Sequence, residues 1–231
     1  MKLAEIGPYD MKAWGKRVPK GCWVDRDAAV VDLCRGKRVA HLGAADAPFH
    51  LDKARAGELL HKKVQAAASE VIGFDCCREA VEELRTEFGI DDIIVTDATQ
   101  PLGGVEPHSF DMALCCDIIE HVSNVGGLLD TCRALLRPDG RLVVTTINAT
   151  ALKPAIRALM GREDVHFEHT AYFSYSTLCQ VLTMNGFVPE SFGAFSYPTY
   201  SRVLGWAFRR LARFAPGTAD GVLVTARPVT A

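Results

Sequence analysis

Two stretches of sequence decide the fold: Lys-Arg-Val-Ala-His-Leu-Gly-Ala-Ala-Asp-Ala-Pro at 37–48 and Glu-Val-Ile-Gly-Phe-Asp at 70–75. In the first, a short apolar strand enters Gly43 and the chain turns through small residues. In the second, a strand ends on Asp75. A nucleotide-binding fold needs close backbone approach at such a turn and a carboxylate that can hold ribose hydroxyls. Only the first glycine of a G-x-G-x-x-G pattern is present, so the rest of the chain must identify the kind of nucleotide site.

The composition is that of an ordinary globular protein. The chain has 231 residues, a hydrophobic fraction of 48% and a charged fraction of 23%, which suffices for one large core. Because the net charge is −2, no protein-wide basic footprint exists and no nucleic-acid partner is expected. Residues 1–10 lack a basic start followed by an apolar core, and no apolar run could span a bilayer. A cytoplasmic location is therefore predicted.

The eight cysteines form no C-x-x-C pair and no cysteine–histidine spacing typical of a structural zinc site. Several lie in apolar patterns, where a free thiol behaves as a small hydrophobic side chain. Adjacent Cys115 and Cys116 would point to opposite faces of a strand and could not readily bridge each other. Reduced thiols are therefore favoured over a disulfide framework.

Strand and helix patterns alternate after Gly36, which predicts an α/β, Rossmann-like, doubly wound sheet covered on both faces. Ligands bind such sheets at the carboxyl ends of the strands. We expect one structural unit, with a helical N-terminal cap at 1–36 and the main domain at 37–231. The predicted strands are 38–42, 70–74, 92–96, 110–116, 141–147, 187–195 and 222–226; the predicted helices are 51–68, 78–88, 125–136, 154–161, 174–185 and 201–214, with a turn at 137–140.

Several spaced motifs follow these strands in order. They include Thr-Asp-Ala at 96–98, Cys-Asp-Ile-Ile-Glu-His-Val at 116–122, Leu-Leu-Arg-Pro-Asp-Gly-Arg-Leu at 135–142 and Asn-Gly-Phe at 185–187. Together with the two opening stretches, they resemble the class I S-adenosylmethionine-dependent methyltransferases, in particular the branch called methyltransferase types 11 and 23. The resemblance implies a seven-stranded, mostly parallel sheet with an antiparallel last strand.

The same resemblance implies S-adenosylmethionine as cofactor and gives roles to its neighbours. The loop at 39–47 surrounds the methionine part, Asp75 holds the ribose hydroxyls and Asp97 accepts from the adenine amino group. His41 stands where the family usually has an acid that orients the cofactor's amino group, and alanines replace two family glycines. The implied cofactor-binding residues are His41, Gly43, Ala44, Asp46, Asp75, Cys76, Asp97, Ala98 and Asp117.

The motif Asp117-x-x-Glu120-His121 resembles the acid-x-x-Glu-His arrangement of small-molecule and RNA O-methyltransferases that bind a divalent metal. A later histidine completes the site in those enzymes, and His169 has suitable spacing here. The resemblance implies Mg²⁺, Mn²⁺ or Fe²⁺ on Asp117, Glu120, His121 and His169, where it would orient and acidify a substrate hydroxyl.

Without a metal, His121 or His169 is the candidate general base that deprotonates an acceptor oxygen. The predicted reaction is methylation of a small-molecule acceptor, at oxygen, and a homodimer remains open. The residues expected to contact the substrate are Glu120, His166, Tyr172 and Tyr175.

Several positions have structural alternatives. Asp75 could cap the following helix, and Asp97 could close an Asx turn. His61 is predicted on the exposed face of its helix, among solvated neighbours. The basic, amphipathic segment 206–214 is predicted to cover the sheet rather than bind a membrane.

Two other functions compete with methyl transfer. A nicotinamide-dependent oxidoreductase would need the full G-x-G-x-x-G pattern and a tyrosine–lysine pair, and neither is visible in the sequence. A noncatalytic cofactor-binding or scaffold protein on the same fold is the second alternative, because His41 and the missing glycines depart from the family pattern.

Overall fold

The computed structural model describes residues 18–19, 23–163, 165–197 and 202–229. Most of the predicted N-terminal cap lies outside these residues. Its described part contains helix α1 (Arg26–Cys34), where the Asp25 side chain accepts a hydrogen bond from the backbone N–H of Ala28. This carboxylate supplies the N-cap that a helix start requires.

In the described part of the chain, seven strands form one sheet in the order β3-β2-β1-β4-β5-β7-β6. Strands β1 to β5 run parallel to one another, whereas β7 is antiparallel to both β5 and β6. The predicted mostly parallel sheet with an antiparallel last strand is confirmed. The strands are β1 (Arg38–Leu42), β2 (Glu70–Asp75), β3 (Ile93–Val95), β4 (Phe110–Cys116), β5 (Leu136–Ile147), β6 (Phe187–Phe195) and β7 (Gly221–Pro228).

Helices cover both faces of the sheet, so the central strands are apolar along their length. On one face, Leu42 and Phe74 share a fully buried cluster with Leu128. On the other, Val39 packs with Val30 of α1. The remaining helices are α2 (His50–Ala56), α3 (Leu60–Gln65), α4 (Arg78–Phe88), α5 (Val125–Leu135), α6 (Leu152–Leu159), α7 (Tyr175–Met184) and α8 (Arg202–Phe214).

The single helix predicted at 51–68 is wrong, because the structure divides it into α2 and α3. Gly57 adopts φ 70°, and its N–H bonds to the carbonyls of Lys53 and Ala54 to close α2. Glycine adopts this left-handed conformation without the steric cost of a side chain. The change in direction buries His61 completely, so its predicted surface position is also wrong.

The turn predicted at 137–140 is likewise corrected, since these residues lie within the bounds of β5. The pairing of β5 with β4 jumps from Phe110–Leu136 to Met112–Arg141. Residues 137–140 therefore form an irregularity inside the strand, where the chain bulges out of the ladder before regular pairing resumes.

Helix α7 begins and ends as predicted. Ser174 and Thr177 form a reciprocal capping box, and Gly186 follows the helix with φ 79°. Both devices satisfy backbone groups that a helix end leaves unpaired.

Seven cysteines in the described part of the chain are free thiols, and Cys22 lies outside it. Burial raises the pKa of Cys34 and of Cys116 to about 12. These thiols therefore stay protonated at neutral pH and act as packing groups, as predicted.

Helix α8 packs against the sheet through Ala212, which is buried beside Ala194 of β6. Its Arg210 guanidinium lies 5.3 Å from the centroid of the Trp206 ring. Within the described ranges, no helix combines the length and the apolar character needed to cross a bilayer.

Substituting Gly73 with alanine is expected to lower the free energy of unfolding by about 1–3 kcal/mol, the usual cost of overpacking. A Cβ atom there would lie 2.8 Å from both the Ala44 Cβ and the Ile93 Cγ1 atoms. Urea denaturation of Gly73→Ala measures the change. Gly103→Ala is the matched control, because a Cβ atom at Gly103 meets nothing within 4 Å. Equal midpoints for both variants would contradict the packing argument.

Candidate cofactor and acceptor site

A cavity of about 610 Å³ lies at the carboxyl ends of β1 to β5. This is where a parallel sheet gathers its functional loops, and the volume is typical of a small-molecule site. All nine residues predicted to bind the cofactor line this cavity: His41, Gly43, Ala44, Asp46, Asp75, Cys76, Asp97, Ala98 and Asp117.

The loop after β1 explains how the chain dispenses with further glycines. Gly43 has φ 74°, and a Cβ atom there would lie 3.2 Å from Ile118 side-chain atoms. Asp46 has φ 63°, a conformation that aspartate tolerates better than most residues. Ala45 and Ala47 are not among the residues with positive φ, so alanine is unstrained at both positions.

The Asp75 carboxylate joins the first two loops of the site. Its Oδ2 accepts from the Ala45 N–H and its Oδ1 from the Cys77 N–H, both at 2.9 Å. The structural alternative, that Asp75 caps the following helix, is wrong, because Cys77 is the N-cap residue of α4 and the helix has no side-chain cap. A binding role is compatible with the observed contacts, because each carboxylate oxygen can accept a second hydrogen bond.

Asp97 lies at the β3 side of the cavity and closes an Asx turn. Its Oδ1 accepts from the N–H of Thr99 at 2.8 Å and from the Thr99 hydroxyl at 2.7 Å. The structural alternative raised from the sequence is therefore present. The turn also orients the carboxylate at the cavity wall.

Asp117 is enclosed by three side chains. Its Oδ2 lies 2.8 Å from Arg26 Nη2 and accepts from the Tyr197 hydroxyl at 3.0 Å, while its Oδ1 accepts from the Thr145 hydroxyl at 2.8 Å. Asp117 itself has φ 53°. Because these partners already engage both oxygens, the prediction that Asp117 serves as a metal ligand is not supported by the geometry.

Glu120 is the buried acid of the site. Its side chain is 1% exposed, its Oε1 lies 3.4 Å from the Ile147 nitrogen and its Oε2 has no partner among the described residues. Burial, reinforced by the Asp117 charge, raises the pKa of Glu120 to about 7. The Glu120 carbonyl accepts from the Thr170 N–H at 2.8 Å, which ties the segment after α6 to this loop.

Three imidazoles meet on the other side of the cavity. One ring nitrogen from each of His121, His166 and His169 lies within 4.8 Å of the others. The Glu168 Oε2 is 3.7 Å from His121 Nδ1 and 4.0 Å from His166 Nδ1. Burial lowers the pKa of His121 and of His169, with the neighbouring imidazoles acting in the same direction. The His121 and His169 rings are therefore neutral near pH 7 and present lone pairs.

This grouping differs from the predicted set of metal ligands. The sequence prediction combined Asp117, Glu120, His121 and His169, whereas in the described part of the chain the group able to hold a metal is His121, His166 and His169. His166, predicted to contact substrate, replaces both acids.

The two predicted substrate tyrosines lie outside the cavity wall. Tyr172 is 42% exposed, and its ring lies 5.9 Å from that of His169. The Tyr175 ring is 4.5 Å from that of Phe192 and packs against the main core. Tyr175 stands on the first turn of α7, which directs it to the sheet rather than to the cavity.

Sequence reasoning missed two residues of the site, Arg26 and Tyr197. Both line the cavity and hold Asp117, but they come from α1 and from the segment after β6. No local motif surrounds either residue. The sequence therefore contains no signal that could have found them.

The comparisons with known proteins agree with this geometry. The methyltransferase domain of the methyltransferase 23 family matches residues 15–191. Ubiquinone biosynthesis O-methyltransferases of Paraburkholderia phymatum and Burkholderia ambifaria are 29% and 30% identical over 166 and 172 residues. These matches cover 71% of the chain each, and 60% and 72% of the respective relatives. The chain spans between 45% and 60% of the length of the first curated relatives that it matches.

Among solved structures, a possible histamine N-methyltransferase from Thermotoga maritima has a TM-score of 0.61 at 16% identity, with 90% of each chain covered. This is a likeness of fold. The strand order, the antiparallel β7 and the row of carboxylates at the strand ends are those of a class I S-adenosylmethionine-dependent methyltransferase. The chain belongs to the methyltransferase 23 family.

Proposed function

We propose that this protein transfers the methyl group of S-adenosylmethionine to a hydroxyl oxygen of a small-molecule acceptor. The observation that carries the proposal is one cavity with two chemically distinct sides. Carboxylates follow β2, β3 and β4 on the donor side, and three imidazoles face them on the acceptor side. The O-methyltransferase names of the curated relatives support oxygen as the methylated atom.

The donor side fits the cofactor. Gly43 allows the tight turn at the cavity wall, since its φ is positive and a Cβ atom there would press against Ile118. Asp75 accepts hydrogen bonds from the ribose hydroxyls in this proposal, and Asp97 accepts one from the adenine amino group. When bound, S-adenosylmethionine supplies an electrophilic methyl group on a sulfonium centre.

The acceptor side handles the proton. Neutral His121 and His169 can accept the proton of an acceptor hydroxyl, which turns the oxygen into a better nucleophile. Both rings line the same cavity as the donor-side residues, so the chain can hold the two reactants close together and oriented. In this proposal these two histidines are the catalytic residues.

A divalent metal is the alternative way to remove this proton in the proposal, because an imidazole nitrogen that holds a metal cannot also accept a proton. His121, His166 and His169, with Glu168 beside them, would hold it and help to acidify the acceptor hydroxyl. Imidazole-rich sites favour transition metals such as Fe²⁺, whereas Mg²⁺ prefers oxygen ligands. Of the three ions predicted from the sequence, Mn²⁺ and Fe²⁺ therefore fit this donor set better than Mg²⁺.

Titration calorimetry with S-adenosylhomocysteine tests the donor side. Saturable binding to the wild-type chain is expected, with no binding of NAD⁺ under the same conditions. If S-adenosylhomocysteine does not bind, the methyltransferase proposal fails. If it binds but no acceptor is methylated, the noncatalytic alternative is favoured.

The acceptor is identified by incubating the chain with labelled S-adenosylmethionine and mixtures of hydroxylated and carboxylated metabolites. Transfer of label to a hydroxylated compound is expected, and it should increase when Mn²⁺ or Fe²⁺ is added. Label on nitrogen or carbon would contradict oxygen methylation. The cytoplasmic location and the homodimer stay predictions.

A further inference from the structure

A buried chain of polar side chains runs from the cavity into the protein behind β1. His41 Nδ1 lies 3.2 Å from His61 Nδ1, and His61 Nε2 lies 3.1 Å from Asp92 Oδ1. His41 is 2% exposed and His61 is fully buried. The Gln65 side-chain amide donates to Asp92 Oδ2 at 2.7 Å. We call His41, His61 and Asp92 the histidine relay.

The sequence makes room for the relay. His41 pairs in register with Gly73 of the neighbouring strand. A Cβ atom at Gly73 would lie 3.0 Å from His61 Cε1, so the absence of a side chain there lets the His61 ring enter. The break between α2 and α3 at Gly57 then allows α3 to direct His61 inward.

The hydrogen bonds of the relay allow one direction of donation. Burial alone would raise the pKa of Asp92, but the hydrogen bonds of His61 and Gln65 help to outweigh burial and lower it. Asp92 is therefore an acceptor, and His61 Nε2 must donate to it. When the His61 ring carries only this one proton, its Nδ1 holds the lone pair, and His41 Nδ1 must donate to that lone pair.

This direction of donation determines which nitrogen of the His41 ring can accept a hydrogen bond in the cavity. Burial, with the nearby Arg26 charge acting in the same direction, holds the pKa of His41 well below its ordinary value, so the ring is neutral. With its proton on Nδ1, the ring carries its lone pair on Nε2. Among the described residues Nε2 has no hydrogen-bond partner, and His41 lines the cavity.

The chemistry of the cofactor indicates which of its groups would donate to the lone pair on His41 Nε2. Asp75 and Asp97 lie at the β2 and β3 side of the cavity, where they would accept hydrogen bonds from the ribose hydroxyls and from the adenine base of the cofactor. Arg26 and Asp117 lie at the other side, near β4. The amino-acid end of the cofactor carries an ammonium and a carboxylate, which need an acceptor and positive charge close together. His41 and Arg26 supply them.

We propose that His61 and Asp92 hold His41 in the tautomer whose unprotonated Nε2 accepts a hydrogen bond from the ammonium group of the cofactor. A neutral histidine would thus orient the amino group of the cofactor at a position where the family usually has an acid. The inference rests on the proposed binding of S-adenosylmethionine. His41 is a binding residue, and His61 and Asp92 are positioning residues.

The first test compares two ligands by calorimetry. S-adenosylhomocysteine carries the ammonium group, whereas 5′-methylthioadenosine keeps the adenosine and the thioether but lacks the amino acid. His41→Phe is expected to weaken S-adenosylhomocysteine binding by about tenfold to a hundredfold, the value of one hydrogen bond to a charged group. Binding of 5′-methylthioadenosine should stay unchanged. Equal losses for both ligands would overturn the proposal.

The second test reverses the direction of hydrogen-bond donation along the histidine relay. Gln65 donates to one Asp92 oxygen, and the Lys62 ammonium, which donates to Gln65 Oε1 at 2.7 Å, fixes the orientation of that amide. In Asp92→Asn, the amide oxygen should face Gln65 and the amide nitrogen should donate to His61 Nε2. His41 Nε2 would then carry the proton, and S-adenosylhomocysteine should bind at least tenfold more weakly. Glu58→Gln, on the exposed segment between α2 and α3, is the control and should bind normally.

Nitrogen-15 NMR of histidine-labelled protein reads the tautomers directly and needs no ligand. In the wild-type chain we expect His41 protonated at Nδ1 and His61 at Nε2, with both reversed in Asp92→Asn. A wild-type His41 protonated at Nε2 would overturn the proposal. If the tautomers are as expected but S-adenosylhomocysteine does not bind the wild-type chain, the proposed function fails instead and His41 has no cofactor role.

Discussion

Replacing Asp75 with alanine is expected to weaken S-adenosylhomocysteine binding by about a hundredfold or more, because two hydrogen bonds to a charged carboxylate are lost together. Each oxygen of Asp75 already accepts one backbone N–H. These donors fix the carboxylate in place, so little ordering remains to be done when ribose hydroxyls arrive. Calorimetry measures the loss.

Two controls separate binding from folding. Asp75→Asn keeps one acceptor oxygen and should lie between alanine and the wild type. Asp52→Ala removes a carboxylate whose side chain is 89% exposed, and it should leave affinity unchanged. Because Asp75→Ala also frees the Ala45 and Cys77 N–H groups, its urea midpoint should be measured too. Wild-type affinity in Asp75→Ala would refute the assignment of the ribose site.

Replacing His169 with alanine is expected to weaken Mn²⁺ binding by about a hundredfold or more and to remove most methyl transfer. Loss of a partner outside the ligand shell already costs tenfold to a hundredfold in metal affinity, and a direct ligand should cost at least as much. His169 is one of three nitrogens within 4.8 Å of each other. Two remaining imidazoles would leave the ion incompletely held.

Mn²⁺ affinity is measured by calorimetry and transfer by incorporation of label. His108→Ala is the matched control, because His108 is exposed and its ring bonds to the Leu136 carbonyl outside the cavity. If the wild-type chain binds Mn²⁺ and His169→Ala binds it equally well, the three-histidine site is wrong. If the wild-type chain binds no metal but methylates its acceptor, His121 and His169 act as bases alone.

Residues that follow strands could be placed from the sequence. Asp75 and Asp97 stand just beyond apolar runs, and parallel strands bring their carboxyl ends to one edge of the sheet. The same reasoning brought Glu120 and His121 to that edge. Topology alone was enough for these positions, because strand direction determines where the next residue emerges.

Features that depend on distant contacts could not be placed. The sequence pattern predicts His61 on the surface. In the structure it is buried, because Gly57 breaks the helix and Gly73 leaves space for the ring. Asp117 reads as a metal ligand until Arg26 and Tyr197 engage its carboxylate. These outcomes depend on packing between segments far apart in the chain, and local sequence patterns do not indicate such packing.

The enclosure of Asp117 also has a consequence for protein engineering. One of its partners precedes the sheet, and another follows β6. A chain trimmed to the predicted main domain at 37–231 would keep every strand but would lose Arg26, leaving a partly buried carboxylate without its cation. Helix α1 thus forms part of the cavity lining through Arg26, and shortened versions of this protein should begin before α1.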